Sequence, residues 1–152
     1  MSPELRDEID FELALMVREL EESKTTLNSA ECGTPSHLEI AALALLLHSF
    51  YNGVENMFKR IAGHSGDELP TGPAWHTLLL ISMSKPTTNR PAVISEDMSE
   101  RLQDYLDFRH FFRHTYSHML RWAPMAPLIS ALPETFEQLK TEVIDFLQRC
   151  KA

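Results

Sequence analysis

The segment "DFRHFFRHTYSH", Asp107 to His118, concentrates side chains able to do chemistry: Arg109, His110, Arg113, His114, Tyr116 and His118. Histidine titrates near neutrality and can both take and give a proton. Arginine stays charged and grips phosphate oxygens with a planar fork. Together they are a minimal kit for cleaving RNA without a metal. The RNA supplies its own nucleophile, the 2′-hydroxyl. The protein must remove that proton, steady the charge on phosphorus and protonate the leaving oxygen.

Two other readings of the histidines stand beside this one. His110 and His114 have the i, i+4 spacing of zinc ligands. His118 lies about 12 Å further along a helix from His110, too far for the three to share one ion easily. The chain has no H-E-x-x-H pattern and no cysteine cluster. No metal and no other cofactor is expected. The third reading is a plain surface face whose histidines bond locally.

Helices must position this segment. Ser2 followed by Pro3 starts one, as N-cap and first helical residue. Ile9, Leu13, Met16 and Leu20 then recur at helical spacing, predicting a first helix to about Ser29. "ECGTPS" breaks the chain. A second helix, from about His37 to Ala62, is apolar on nearly all sides over "LEIAALALLLHSF" and should be central. "GHSGDELPTGP" reads as a loop, "AWHTLLLISM" as a short helix and "SKPTTNRPAVIS" as another loop. Ser95 opens a third long helix to about Trp122. The prolines of "APMAPLISALP" predict a break, and Pro133 to Cys150 a last helix. No strand pattern is present. The predicted fold is all-α: an up-and-down bundle of four main helices plus a short extra helix, one domain over 1–152.

On a helix, Tyr105, Phe108, Phe112, Thr115 and Met119 form a core stripe. Arg109, Arg113 and Tyr116 form a second stripe, and His110, His114 and His118 a third. Arg109 and His114 then diverge by about 140° and about 7.5 Å. Two copies meeting across a two-fold axis would bring Arg109 of one chain to His114 of the other. The spacing thus suggests a homodimer with a cleft at its seam.

Other residues carry paired readings. Glu55 is either a partner that holds Arg109 or a boundary glutamate. Tyr51, Trp75 and His76 are assigned to packing. Lys59 and Arg60 suit the end of the second helix, or extend a basic rim. Met98, Met119 and the other methionines read as core filler. No Gly-rich phosphate loop, nucleophile elbow or catalytic carboxylate pair is found.

Composition limits the partners. With 43% apolar and 24% charged residues, the 152-residue chain is ordinary for a globular domain. A net charge of -8 excludes a broad basic surface that wraps nucleic acid, and leaves room only for a local patch. Cys32 and Cys150 fit no metal or redox spacing, which predicts free thiols in a cytoplasmic protein. The acidic N-terminal stretch is not a signal peptide, and no apolar run is long enough for a membrane span.

Arg109-His110-x-x-x-His114-x-Tyr116 resembles the R-x4-H-x-Y motif of HepT-type toxins in the HEPN superfamily. "YNGVENMFKRIA", Tyr51 to Ala62, resembles the second helix of these proteins, and "PAWHTLLL" and "RPAVIS" resemble a HepT-like subgroup. The resemblance implies a dimeric helical bundle whose two motifs line one cleft. It implies a metal-independent endoribonuclease that leaves a cyclic phosphate end. It also implies the toxin of a type II-like toxin–antitoxin pair, whose partner is a MntA-type minimal nucleotidyltransferase that attaches AMP to the motif tyrosine. Carried over, Arg109 is the phosphate clamp, His114 the acid–base residue, His110 a helper and Tyr116 the modified residue. Arg113 lies outside the motif, one turn from Arg109, and is assigned to the RNA backbone. The overlapping frame Arg113-x4-His118 has Leu120 where the tyrosine belongs, so the first frame is preferred. A different class of function shares the fold: a catalytically silent module that binds or regulates the nucleotidyltransferase. An enzyme needs Arg109 and His114 exposed and convergent.

Overall fold

A computed structural model describes residues 2–151; Met1 and Ala152 of the expected 1–152 domain lie outside the described residues. These form α1 (Pro3–Glu22), α2 (Lys24–Glu31), α3 (His37–Ser65), α4 (Trp75–Met83), α5 (Glu96–Arg113) and α6 (Trp122–Arg149), with no strand among them. The all-α expectation holds. The four long helices are α1, α3, α5 and α6, and α4 is the short one.

Local signals start the helices. The Ser2 hydroxyl accepts from the Leu5 amide at 3.4 Å, with Pro3 in the first turn. Ser36 and Glu39 form a reciprocal capping box at α3. The Ser95 hydroxyl accepts from the Met98 amide at 3.1 Å at the start of α5. Gly66, at φ 74°, closes α3 in the left-handed conformation that glycine adopts without strain, just past the expected end at Ala62. Helix α3 is the centre of the bundle, and α1 lies along it with Leu5, Ile9, Leu13 and Met16 buried. Gly53 permits that approach: a Cβ there would stand 2.8 Å from Cγ and Sδ of Met16. This closeness offsets the roughly 1 kcal/mol that glycine costs inside a helix.

Three expected boundaries are corrected. The first helix does not run unbroken to Ser29. It ends at Glu22, and α2 follows after Ser23 with no buried residue. After Leu20 the stripe is interrupted by Ser23 and Lys24 before Leu27 resumes contact with the core, and serine is a poor helix former that suits the turn between α1 and α2.

The third long helix ends at Arg113 and not near Trp122. His114 leaves the helix, a 3-10 turn spans Ser117–Met119, and Leu120 returns to the core at 5% exposure. A straight continuation is obstructed, because Pro124 lacks an N–H and its ring would strike the Leu120 carbonyl. The Arg121 guanidinium accompanies the turn, donating through Nη1 to the carbonyls of His118 and Leu120 at 2.8 and 3.1 Å. The stripes expected past Arg113 therefore do not exist. Thr115, Tyr116, His118 and Met119 lie on a connection, and Met119 is exposed and not core.

The last helix starts at Trp122 and runs through Pro127 and Pro133, where a break was expected. Each interior proline costs about 3 kcal/mol. Against that, Met125, Ile129, Leu132, Phe136, Leu139, Val143 and Phe146 keep helical spacing and are all buried. Each such side chain contributes about 1.5–3 kcal/mol, so tertiary burial overrides the local breaker. In the stretch between the prolines, the Leu128 carbonyl accepts from the Tyr105 hydroxyl at 2.8 Å.

A polar cluster between three helices as the candidate functional site

Helix α3 is largely apolar, yet it carries Asn52 and Glu55 one turn apart. Buried polar groups are costly unless bonded, so their partners identify what the helix is built to hold. Glu55 is buried, and so is Arg109 near the end of α5. The Arg109 Nε donates to Asn52 Oδ1 at 2.8 Å, and its Nη1 lies 3.7 Å from Glu55 Oε1. From α4, Nδ1 of His76 lies 2.6 Å from Glu55 Oε2.

These contacts assign protons. A carboxylate only accepts, so the short His76–Glu55 contact places a hydrogen on Nδ1. Arg109 Nη1, 3.3 Å from that same nitrogen, is then a close neighbour and not a donor to it. The Nε2 of a neutral His76 is left as the acceptor of the ring, and it makes no hydrogen bond among the described residues. The Trp75 ring stacks on His76 with centroids 3.7 Å apart, and His110 meets it edge-on at 5.5 Å.

The cluster extends along α3 to His48. Asn52 already accepts from Arg109 through Oδ1, so its Nδ2 donates to His48 Nε2 at 3.1 Å. The His48 Nδ1 must then carry the proton, and it is sealed from solvent without a partner. Burial, followed by the charges of Arg109 and Arg113, lowers the His48 pKa below its usual 6.5. Burial, followed by His76 and Arg109, lowers that of His110 as well. Tyr51, packed in the core, has its hydroxyl pKa raised, first by burial and then by the Glu55 charge.

A family profile described as "HepT-like protein" matches residues 42–150. The chain belongs to the HepT-like family of the HEPN superfamily. No curated protein and no solved structure matches it. The HepT-like match runs from the first turns of α3 to the end of α6, and so contains the whole polar cluster.

In this HepT-like chain the motif residues are divided. Arg109 and His110 sit in the cluster with Glu55. Arg113 ends α5 exposed, and His114 is the exposed residue that caps it. No hydrogen bond joins Arg109 to His114 among the described residues. Tyr116 does not share the Arg109 face; it is 73% exposed on the connection, its ring nearly parallel to that of His118 at 5.8 Å. Arg60 is a tie to α1 and not a rim residue, with Glu8 at 3.4 Å and Glu12 at 3.3 Å. Lys59 Nζ lies 5.8 Å over the Trp75 ring.

The sequence alone singles out neither Asn52 nor His48, and it assigns His76 to packing. The available signal is weak: polar side chains on α3, and one histidine in the largely apolar "WHTLLL". Among the described residues no group of His, Cys, Asp and Glu converges to hold a metal, and no helix is long and apolar enough to cross a membrane.

Proposed function

We propose that this HepT-like chain is a metal-independent endoribonuclease, the toxin of a type II-like toxin–antitoxin pair. The observation that carries the reading is the fixed guanidinium of Arg109. Asn52 and Glu55 hold two of its nitrogens, while Nη2 makes no hydrogen bond among the described residues. Arg113, His114 and Tyr116 follow it at the exposed end of α5. In this reading Arg109 and Arg113 take phosphate oxygens, and His110 assists. The 2′-oxygen attacks phosphorus, the P–O5′ bond breaks, and His114 serves the proton transfers. The products are a 2′,3′-cyclic phosphate and a free 5′-hydroxyl. Two copies of the chain meeting along α5 would line one cleft with both motifs. The net charge of -8 confines RNA contact to that cleft. A MntA-type nucleotidyltransferase antitoxin would attach AMP to Tyr116.

Two observations favour a second reading, a silent module that only binds the nucleotidyltransferase. Arg109 is buried with its charge already answered by Glu55, and no hydrogen bond joins it to His114 among the described residues, so the exposed and convergent pair that an enzyme needs is not formed within one chain. The deciding experiment is incubation of the purified chain with labelled RNA, beside His114→Ala. Cleavage that leaves cyclic phosphate ends, and is lost in the variant, establishes the enzyme. Intact RNA with a stable nucleotidyltransferase complex establishes the module.

A further inference from the structure

We propose that His76 is a proton-transfer residue of the same site, the base that takes the 2′-hydroxyl proton, with Glu55 as the residue that positions it. This rests on the ribonuclease reading. Three observations support it. The Nδ1 of His76 is bound to Glu55 Oε2 at 2.6 Å, which fixes both the tautomer and the direction of the ring. The ring is further held by Trp75 stacked at 3.7 Å and His110 edge-on at 5.5 Å. Its other nitrogen, Nε2, has no partner among the described residues and is not among the atoms sealed from solvent. A histidine used only for packing has no need of an oriented ring with an unpartnered nitrogen.

The arrangement follows the logic of a carboxylate–histidine pair. The carboxylate orients the imidazole and stabilises the cation formed when the distal nitrogen takes a proton. Arg109 belongs to the same cluster, with Nη1 3.3 Å from Nδ1 of the ring, and its Nη2, which makes no hydrogen bond among the described residues, is left to grip a phosphate. The 2′-O–H proton passes to Nε2 of His76 as the 2′-oxygen forms its bond to phosphorus. The P–O5′ bond breaks, and the leaving 5′-oxygen takes a proton from His114. Solvent then returns one proton to His114 and removes one from His76. His76 and His114 thus divide the base and acid roles.

Two substrates separate these roles: RNA, whose 5′-alkoxide must be protonated, and uridine 3′-(4-nitrophenyl phosphate), whose nitrophenolate leaves without a proton. His76→Asn is the informative variant, because the asparagine amide replaces the Nδ1 donor to Glu55 but offers no proton acceptor at Nε2. His76→Ala accompanies it. On RNA, His76→Asn and His114→Ala should each lower kcat by roughly 100-fold or more with little change in KM. On the aryl ester, His114→Ala should recover to near the parent rate and His76→Asn should not. Parent-like RNA cleavage by His76→Asn, or recovery of that variant on the aryl ester, overturns the assignment while leaving the ribonuclease reading intact. A parent chain that cuts neither substrate overturns both. A measurement on the unmutated chain covers the case in which the variants misfold. Adding 2′-deoxyuridine 3′-phosphate should move the Nε2 nitrogen resonance of His76 more than that of Nδ1. An unmoved Nε2 in the complex overturns the proposal.

Discussion

The Nε of Arg109 donates to Oδ1 of Asn52 at 2.8 Å, tying the end of α5 to the middle of α3. Glu55, one turn further along α3, faces the same guanidinium at 3.7 Å. Two contacts from one rigid helix set the direction of a planar group that has five donors.

Lysine cannot reproduce that arrangement. Arg109→Lys keeps a cation near Glu55 but cannot also bond Asn52 and present a fork. Helix content should be retained, and RNA cleavage should fall by roughly 100-fold, the scale of losing a positioned electrostatic group. Arg109→Ala should be worse for the fold, because it leaves the Glu55 carboxylate buried without its cation. Urea unfolding should show a loss of about 3–5 kcal/mol. Parent-level cleavage by Arg109→Lys would count against the clamp role.

His114 is exposed at the end of α5, so removing its ring opens no core cavity. His114→Ala should stay within about 0.5 kcal/mol of the parent in stability and should lose RNA cleavage. Chelators should leave parental cleavage unchanged. Loss of activity with EDTA and its return with zinc would replace this account with a metal site.

Leu120 anchors the connection that carries His114 and Tyr116, and it is 5% exposed. Leu120→Ala should cost about 2–5 kcal/mol. It should also open residues 114–121 to limited proteolysis before the bundle unfolds. If cleavage sites on this segment are equally protected in parent and variant, the burial of Leu120 does not hold the connection.

Stability should fall on mild acidification. The folded-state pKa values of His48 and His110 lie below the usual 6.5, so both are held neutral by the fold. The unfolded chain binds their protons first as pH drops. Their contribution is therefore complete above about pH 6.5 and is lost as pH falls from there through the depressed folded values. Thermal melts between pH 7.5 and 5.5 should show the decline, and His48→Gln should make it shallower. An identical slope in the variant would remove His48 from the explanation.

Tyr116 is exposed on the connection after α5, accessible to a modifying enzyme without unfolding. Incubation with the cognate nucleotidyltransferase, ATP and magnesium should add AMP to the peptide containing it. The added phosphate and adenosine, on a residue three positions after Arg113 and two after His114, should block RNA by occupying its path. Cleavage should stop with an unchanged circular-dichroism spectrum, and Tyr116→Phe should stay active under the same treatment. An inhibited sample whose Tyr116 is bare by mass spectrometry would point to simple complex formation.

The sequence by itself determined what depends on neighbours along the chain. Ser2-Pro3, the Ser36–Glu39 box and Ser95 start helices through bonds spanning a single turn. The apolar periods of α1 and α3 select the buried faces. The Arg109-to-Tyr116 motif was legible as a string of residue types, and with it the family. Tertiary structure decided what depends on burial against distant elements. Pro127 and Pro133 are local helix breakers, and only the buried face of α6 outweighs them. Pro124 bars a straight helix at Leu120, but the path that the chain takes instead is decided by Leu120 turning into the core, a gain that no window around Arg113 contains. The convergence of Asn52, Glu55, His76 and Arg109 comes from three helices. Periodicity reports the face a residue occupies on its own helix, and packing alone decides which faces meet.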